Sequence, residues 1–260
     1  MLRTIQATRY VLPLREGGSL PAIVEADDLG LYVVKFRGAG QGPLALVAEL
    51  VAGEIGRALG LRVPELAFVE FDPALGRNEP DAEIRHLLKA SAGLNLALDY
   101  LPGSTMFDPA ARDTVSSAEA SLAVWFDAFV QNVDRTPRNA NLLLWHRKLY
   151  LIDHGAALYF HHNWPTMKDK ILAPFPEIAQ HVLLPWASGI AQAGETARAK
   201  LNAGTFPSIA KIVPDAWLDA IAGEQSADEK RAGYIDFLAR RLAAAHVFEE
   251  EAMKAHARLV

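Results

Sequence analysis

Asn132-Val133-Asp134-Arg135-Thr136-Pro137-Arg138-Asn139 is polar, broken by a proline and bounded on both sides by apolar sequence. Such a segment is a loop. Upstream, Ser116-Ser117-Ala118-Glu119 has the capping-box spacing that opens a helix. The pattern carries that helix to about Gln131, with Trp125, Phe126 and Phe129 on its buried face. Downstream, Asn141 to Trp145 and Leu149 to Ile152 flank His146-Arg147-Lys148, which predicts a short hairpin. The hairpin delivers Asp153 just before His154-Gly155.

Towards the carboxyl end, an aromatic stretch from Tyr159 to Trp164 precedes helices. Pro214-Asp215 opens one, and Ser226-Ala227-Asp228-Glu229 caps a last long one running to Phe248 and beyond. Towards the amino end the character changes. Arg9 to Leu12, Ala22 to Val24 and Leu31 to Phe36 read as strands separated by the turns Glu16-Gly17-Gly18-Ser19 and Asp27-Asp28-Leu29-Gly30. Leu44 to Leu59 is a helix that stops at Gly60, with Pro64 beyond. Pro64 to Phe71 is a further strand, and Glu83 to Leu98 is open between helix, strand and loop. Asp99 to Ser104 is a connector. The expected fold is therefore α+β and two-lobed: residues 1–101 form a small antiparallel sheet with one helix, and residues 102–260 a helical lobe holding the loop and hairpin. A cleft between such lobes suits a nucleotide.

Of 260 residues, 51% are hydrophobic and 22% charged, an ordinary globular composition. The net charge of -5 argues against general nucleic-acid binding. The absence of cysteine excludes thiol catalysis and thiolate metal sites. Met1 to Gln6 lacks the apolar core of a signal peptide, and no segment reaches the ~18 apolar residues of a membrane span. The expected location is cytoplasmic.

The order of polar groups fits phosphoryl transfer. One carboxylate must reach an acceptor hydroxyl, and separate oxygens must hold magnesium on the ATP phosphates. Asp134 suits the first task, Asn139 and Asp153 the second, since magnesium takes few ligands from protein. Lys35 closes the run Tyr32-Val33-Val34-Lys35 and can reach phosphate oxygens as a point charge. A buried cation needs a partner. Glu49 is the candidate, because it shares a helix face with the small residues Ala45, Ala52, Gly53 and Gly56, whereas Glu54 points elsewhere. Gly17, Gly18 and Ser19 could bring backbone N–H groups to phosphate oxygens, and Gly38, Gly40 and Gly42 could do the same or act as a hinge. His161-His162 has no convincing third metal ligand.

These residues resemble a known group. Pro13 to Pro21, then Val34-Lys35-Phe36-Arg37-Gly38, then Glu49, are similar to the amino-terminal lobe of HipA-like kinases. Asn132-Val133-Asp134 with Asn139, followed by Asp153, is similar to that family's catalytic loop and metal-binding aspartate. The resemblance runs from about Arg9 to about Leu158 and implies a fold related to protein kinases and phosphatidylinositol kinases. It implies Lys35 on the phosphates, Asp134 as catalytic aspartate, Asn139 and Asp153 on magnesium, and the connector with Tyr100 and Leu101 near the adenine. The acceptor it implies is a protein serine or threonine. Two places depart from the family's loop, which carries a histidine and a lysine where this chain has Thr136 and Arg138. The phenylalanine that follows the metal aspartate in protein kinases is His154 here. Toxicity, antitoxin pairing and DNA association are not carried over. The alternatives are a pseudokinase that keeps the nucleotide cleft as a regulatory module, and a helical interaction protein whose aspartates are structural.

Overall fold

A computed structural model describes residues 2–14, 20–111 and 115–259. The predicted glycine turn, with Gly17, Gly18 and Ser19, lies outside the described residues. Strands β1 (Thr4–Pro13), β2 (Ala22–Ala26) and β3 (Leu31–Lys35) follow one another in antiparallel register. Helix α1 (Pro43–Leu59) then leads to β4 (Leu66–Phe71), α2 (Ala82–Ala90) and β5 (Gly93–Asp99). The undecided Glu83 to Leu98 segment is thus helix then strand.

The expected antiparallel sheet is instead a closed mixed barrel in the order β1-β2-β3-β5-β4. Its closure is parallel, with Thr4 opposite Phe68 and Gln6 opposite Glu70. The reason is visible at the start of β1, five residues before the predicted strand. Ile5 and Ala7 are buried while Thr4, Gln6 and Thr8 are exposed, the alternation of a half-buried strand. That early segment offers β4 a free edge, and closure removes it. Small side chains such as Ala22, Ala26, Ala67 and Ala97 fill the interior.

Helix α1 ends as the sequence predicts. Gly60 is left-handed at φ 82, its N–H bonds Arg57 O, and Leu61 N–H bonds Gly56 O at 2.9 Å, a Schellman arrangement. The small-residue face also behaves as predicted. A Cβ on Gly53 would meet Leu66 at 2.9 Å and one on Gly56 would meet Val63 at 3.2 Å, so the chain leading into β4 packs directly on the helix backbone.

Beyond the connector, β6 (Thr105–Met106) joins the hairpin of β7 (Leu142–Trp145) and β8 (Lys148–Leu151) in a three-stranded sheet. Helix α3 (Ser117–Val130) precedes the loop, with Ser116 as its cap. The aromatic stretch forms a kinked 3₁₀ segment, Tyr159–Lys170, bent at Asn163 before Pro165. Four helices follow: α4 (Ile190–Lys200), α5 (Thr205–Lys211), the single turn α6 (Asp215–Leu218) and α7 (Ala227–Ala243), which has a complete capping box at Ser226 and Glu229. The last predicted helix is broken, because α8 (His246–Ala257) starts afresh after Ala245. No glycine or proline causes the break. On one side of it the Arg241 guanidinium binds Ala128 O and Phe129 O at 2.8 Å, and on the other Phe248 packs its edge on Trp125. Packing against α3 on both sides of the break overrides the helical propensity of the alanines. Arg241 also satisfies carbonyls in the last turn of α3, immediately before the loop. Helix α1 shares one apolar core with α3 and the helices that follow it.

Candidate active site

Lys35, at the end of β3, is 8% exposed and pairs across the ladder with Leu96. Its Nζ meets the carboxylate of Asp153 and lies 3.3 Å from Glu49 Oε2. Glu49, halfway along α1, is fully buried. Glu54, by contrast, pairs with Arg57 on its own helix. Burial works against charge on both Lys35 and Glu49, but their mutual attraction outweighs it. The Lys35 ammonium is held above its ordinary range, and Glu49, also bonded by His154, is held at about 2.

Asp153 follows β8 with φ 55, a left-handed conformation that turns the chain back towards α1. Gly155 then lies beside the helix, where an added Cβ would be 3.7 Å from Ala45 O. This is the close backbone approach that the small-residue face allows.

The loop is built around Asp134. Its N–H donates to Asn132 Oδ1 at 3.2 Å, and its Oδ2 accepts from Asn139 Nδ2 at 2.8 Å. Thr136 and Asn139 exchange backbone bonds of 3.0 and 3.1 Å, so Pro137 and Arg138 form the tip of a tight turn. That turn carries Asn139 back to Asp134. Asn141 is buried and donates to Asp134 O at 3.2 Å, whereas Asn139 is exposed and lines the cleft.

Lys35, Glu49, Asp134, Asn139 and Asp153 all line one cleft of about 270 Å³. The structure brings these five sequence-predicted residues together. Tyr100 and Leu101 are not among the lining residues: Tyr100 N–H is used on Leu31 O at 3.0 Å and Leu101 is buried. Ala39, Gly40 and Gln41 form another wall, which gives the second glycine-rich segment a place in the cleft. One lysine faces three carboxylates, so the cleft is net negative. Asn139 and Asp153 offer hard oxygens, but among the described residues no group of three or more His, Asp and Glu side chains could cage a metal. His161 is buried and bonded through Nδ1 to Tyr234 OH at 2.9 Å.

Sequence reasoning missed a second layer behind the loop. Asp127 of α3 binds Arg135, Asn132 and His181, all buried. A signal was present: Asp127 interrupts the apolar run Trp125-Phe126-Asp127-Ala128-Phe129, and a carboxylate there needs a buried partner. His154, which stands where protein kinases have phenylalanine, lies beside Glu49.

The sequence model described as HipA-like kinase matches residues 9–252. A search of curated proteins gave no match. Among solved structures, the chain is similar to the crystal structure of a Helicobacter pylori proinflammatory kinase, CtkA. The identity is 14%, the superposition covers 99% of each chain, and the TM-score is 0.55. At that identity the likeness concerns the fold.

Proposed function

Because this chain belongs to the HipA-like kinase family, a phosphotransferase family that implies use of ATP, we propose that it transfers the γ-phosphoryl group to a hydroxyl, with a protein serine or threonine as acceptor. The observation that carries the reading is the convergence of Lys35, Glu49, Asp134, Asn139 and Asp153 on one cleft.

In this reading Asp134 orients the acceptor hydroxyl and takes up its proton, a contribution of about a hundredfold or more. Asn139, whose Nδ2 is committed to Asp134, presents its oxygen to a cation together with Asp153. Lys35, steadied by Glu49, holds phosphate oxygens. Bound ATP with magnesium supplies the phosphoryl group and the positive charge that this cleft lacks. The excess of carboxylates supports magnesium, because a polyphosphate alone would be repelled. Two protein oxygens are enough, the remaining positions going to phosphate and water. Residues 1–101 serve as the nucleotide lobe, with a phosphate-binding role for Gly17, Gly18 and Ser19 and an adenine-binding role for Tyr100 and Leu101. No helix among the described residues is long and apolar enough to cross a membrane, and we assign the protein to the cytoplasm.

The test compares wild type with Asp134→Ala in ATP turnover and autophosphorylation, with ATP-dependent thermal stabilisation measured alongside. Phosphoryl transfer by wild type, lost in the variant while stabilisation persists, supports the proposal. ATP binding without turnover under any metal would instead favour the regulatory pseudokinase.

A further inference from the structure

We propose that His154 is a positioning residue that fastens the Asp153 segment to Glu49, so that Lys35, Glu49 and Asp153 are set as one unit. The inference rests on the phosphoryl-transfer reading of this site and assigns work to a residue outside its five side chains.

Glu49 has both oxygens engaged. Oε2 accepts from the backbone N–H of His154 at 2.8 Å and faces Lys35 Nζ at 3.3 Å, while Oε1 faces His154 Nδ1 at 3.2 Å. A carboxylate only accepts, so Nδ1 carries a proton and donates it to Glu49. Nε2 is buried and has no partner among the described residues. The ring otherwise makes an edge contact with Phe126 at 5.7 Å. If the position served packing alone, an apolar ring would fill it without the cost of about 1–3 kcal/mol that an unmet buried polar atom carries. Among the described residues, the imidazole's polar contact is the one to Glu49.

The consequence is mechanical. A lysine–glutamate pair on its own ties β3 to α1. Here the same glutamate also holds residue 154 by main chain and side chain, and residue 154 directly follows the carboxylate that meets Lys35. Helix α1 cannot move away from the cleft without releasing the backbone that aims Asp153. The left-handed Asp153 and the glycine at 155, seated on Ala45, let this segment come that close.

His154→Phe keeps the backbone donor and removes the side-chain donor. His154→Asn returns a donor near the place of Nδ1. Two readouts separate the inference from the reading beneath it. In the ligand-free protein, hydrogen exchange over the first half of α1 and residues 153–156 is expected to accelerate in His154→Phe and to recover in His154→Asn. In ATP, the magnesium needed for half-maximal thermal stabilisation is expected to rise about tenfold in His154→Phe, the size typical of losing a partner behind a metal ligand, and to recover in His154→Asn. Unchanged exchange and unchanged magnesium requirement in His154→Phe would overturn the proposal. So would an asparagine variant as impaired as the phenylalanine one, or an exchange effect with no effect on magnesium, which would mark a purely structural role. A wild type that ATP and magnesium do not stabilise at all would sink the phosphoryl-transfer reading instead, and exchange would then decide the fastening by itself.

Discussion

Arg135 Nε donates to Asp127 Oδ2 at 2.5 Å, with both side chains wholly enclosed. The pair ties the catalytic-loop candidate to the helix before it and the hairpin after it. Another nitrogen of the same guanidinium meets the carbonyls of Asn141 and Ile152, the residues flanking the hairpin, and Arg135 O accepts from Val182 N–H at 3.0 Å. His181 completes the arrangement. Its Nδ1 accepts from Leu183 N–H at 3.0 Å, so Nε2 carries the proton that faces Asp127 at 2.8 Å. Burial pushes the Asp127 carboxyl up, but Arg135 and His181 outweigh it and hold it well below the usual carboxylate range.

Removing one partner of an enclosed ion pair leaves the other charge stranded. Arg135→Met is expected to lower unfolding free energy by about 3–5 kcal/mol, and adding Asp127→Leu to restore most of it. Urea unfolding of the two variants checks this. A double variant no more stable than the single one would mean that the backbone carbonyls, not the carboxylate, are what Arg135 mainly serves. Turnover should stay low in both variants, since Asn141 and Ile152 lose their shared anchor.

The site was more legible in the sequence than the shell behind it, for a physical reason. Asp134, Asn139 and Asp153 sit in turns whose boundaries are marked by Pro137, Gly155 and the hairpin pattern, and Lys35 ends a strand with clear β-branching. Glu49 could be chosen over Glu54 because small neighbours mark one helix face. Arg135 and His181 are 46 residues apart and both bind Asp127, a relationship that no local pattern carries. The parallel closure of the barrel was equally hidden, since Thr4 and Phe68 pair across a whole helix and two strands. The break before α8 depends on what Arg241 and Phe248 touch, not on the residues at the break.

The two asparagines of the loop should separate cleanly. Asn139 is exposed and lines the cleft, so Asn139→Ala is expected to leave stability within about 0.5 kcal/mol of wild type. Its magnesium requirement for ATP turnover should rise about tenfold. Asn141 is buried, left-handed at φ 49 and bonded to Asp134 O, so Asn141→Ala should cost about 1–3 kcal/mol of stability. Denaturant titration and magnesium titration of both variants decide the matter. A reversed pattern would make Asn141 the metal ligand.

Lys35→Met tests the phosphate role against a structural one. Glu49 would keep only its two contacts from His154 in an enclosed place, so some stability is lost, about 3–5 kcal/mol if the pair behaves as fully buried. Beyond that loss, the upward shift in melting temperature given by a fixed excess of ATP and magnesium should shrink, because ligand stabilisation grows with the logarithm of ligand concentration over its dissociation constant. An undiminished shift in the variant would remove Lys35 from the nucleotide site.

Acid should lower stability over two successive pH windows. Burial, with His162 adding to it, lowers the His161 imidazole from 6.5 to about 3, and burial lowers His181 despite Asp127. Below pH 6.5 the unfolded chain therefore binds protons that the folded one refuses, and stability present above 6.5 is lost as pH falls. Each such group contributes a slope of up to about 1.4 kcal/mol per pH unit. Two enclosed carboxylates follow in the same direction. Glu49, lowered from 4.5 to about 2, and Asp127, also lowered, give up their contribution only as pH falls below 4.5. His161→Phe removes one titrating group and should flatten the fall in melting temperature between pH 6.5 and 4.5 while leaving the steeper loss below 4.5 in place. Melting temperature against pH for wild type and variant reads both windows. A wild-type curve that stays level down to pH 4.5 would overturn the prediction, because it would mean that His161, enclosed against Tyr234, takes up its proton in the folded protein.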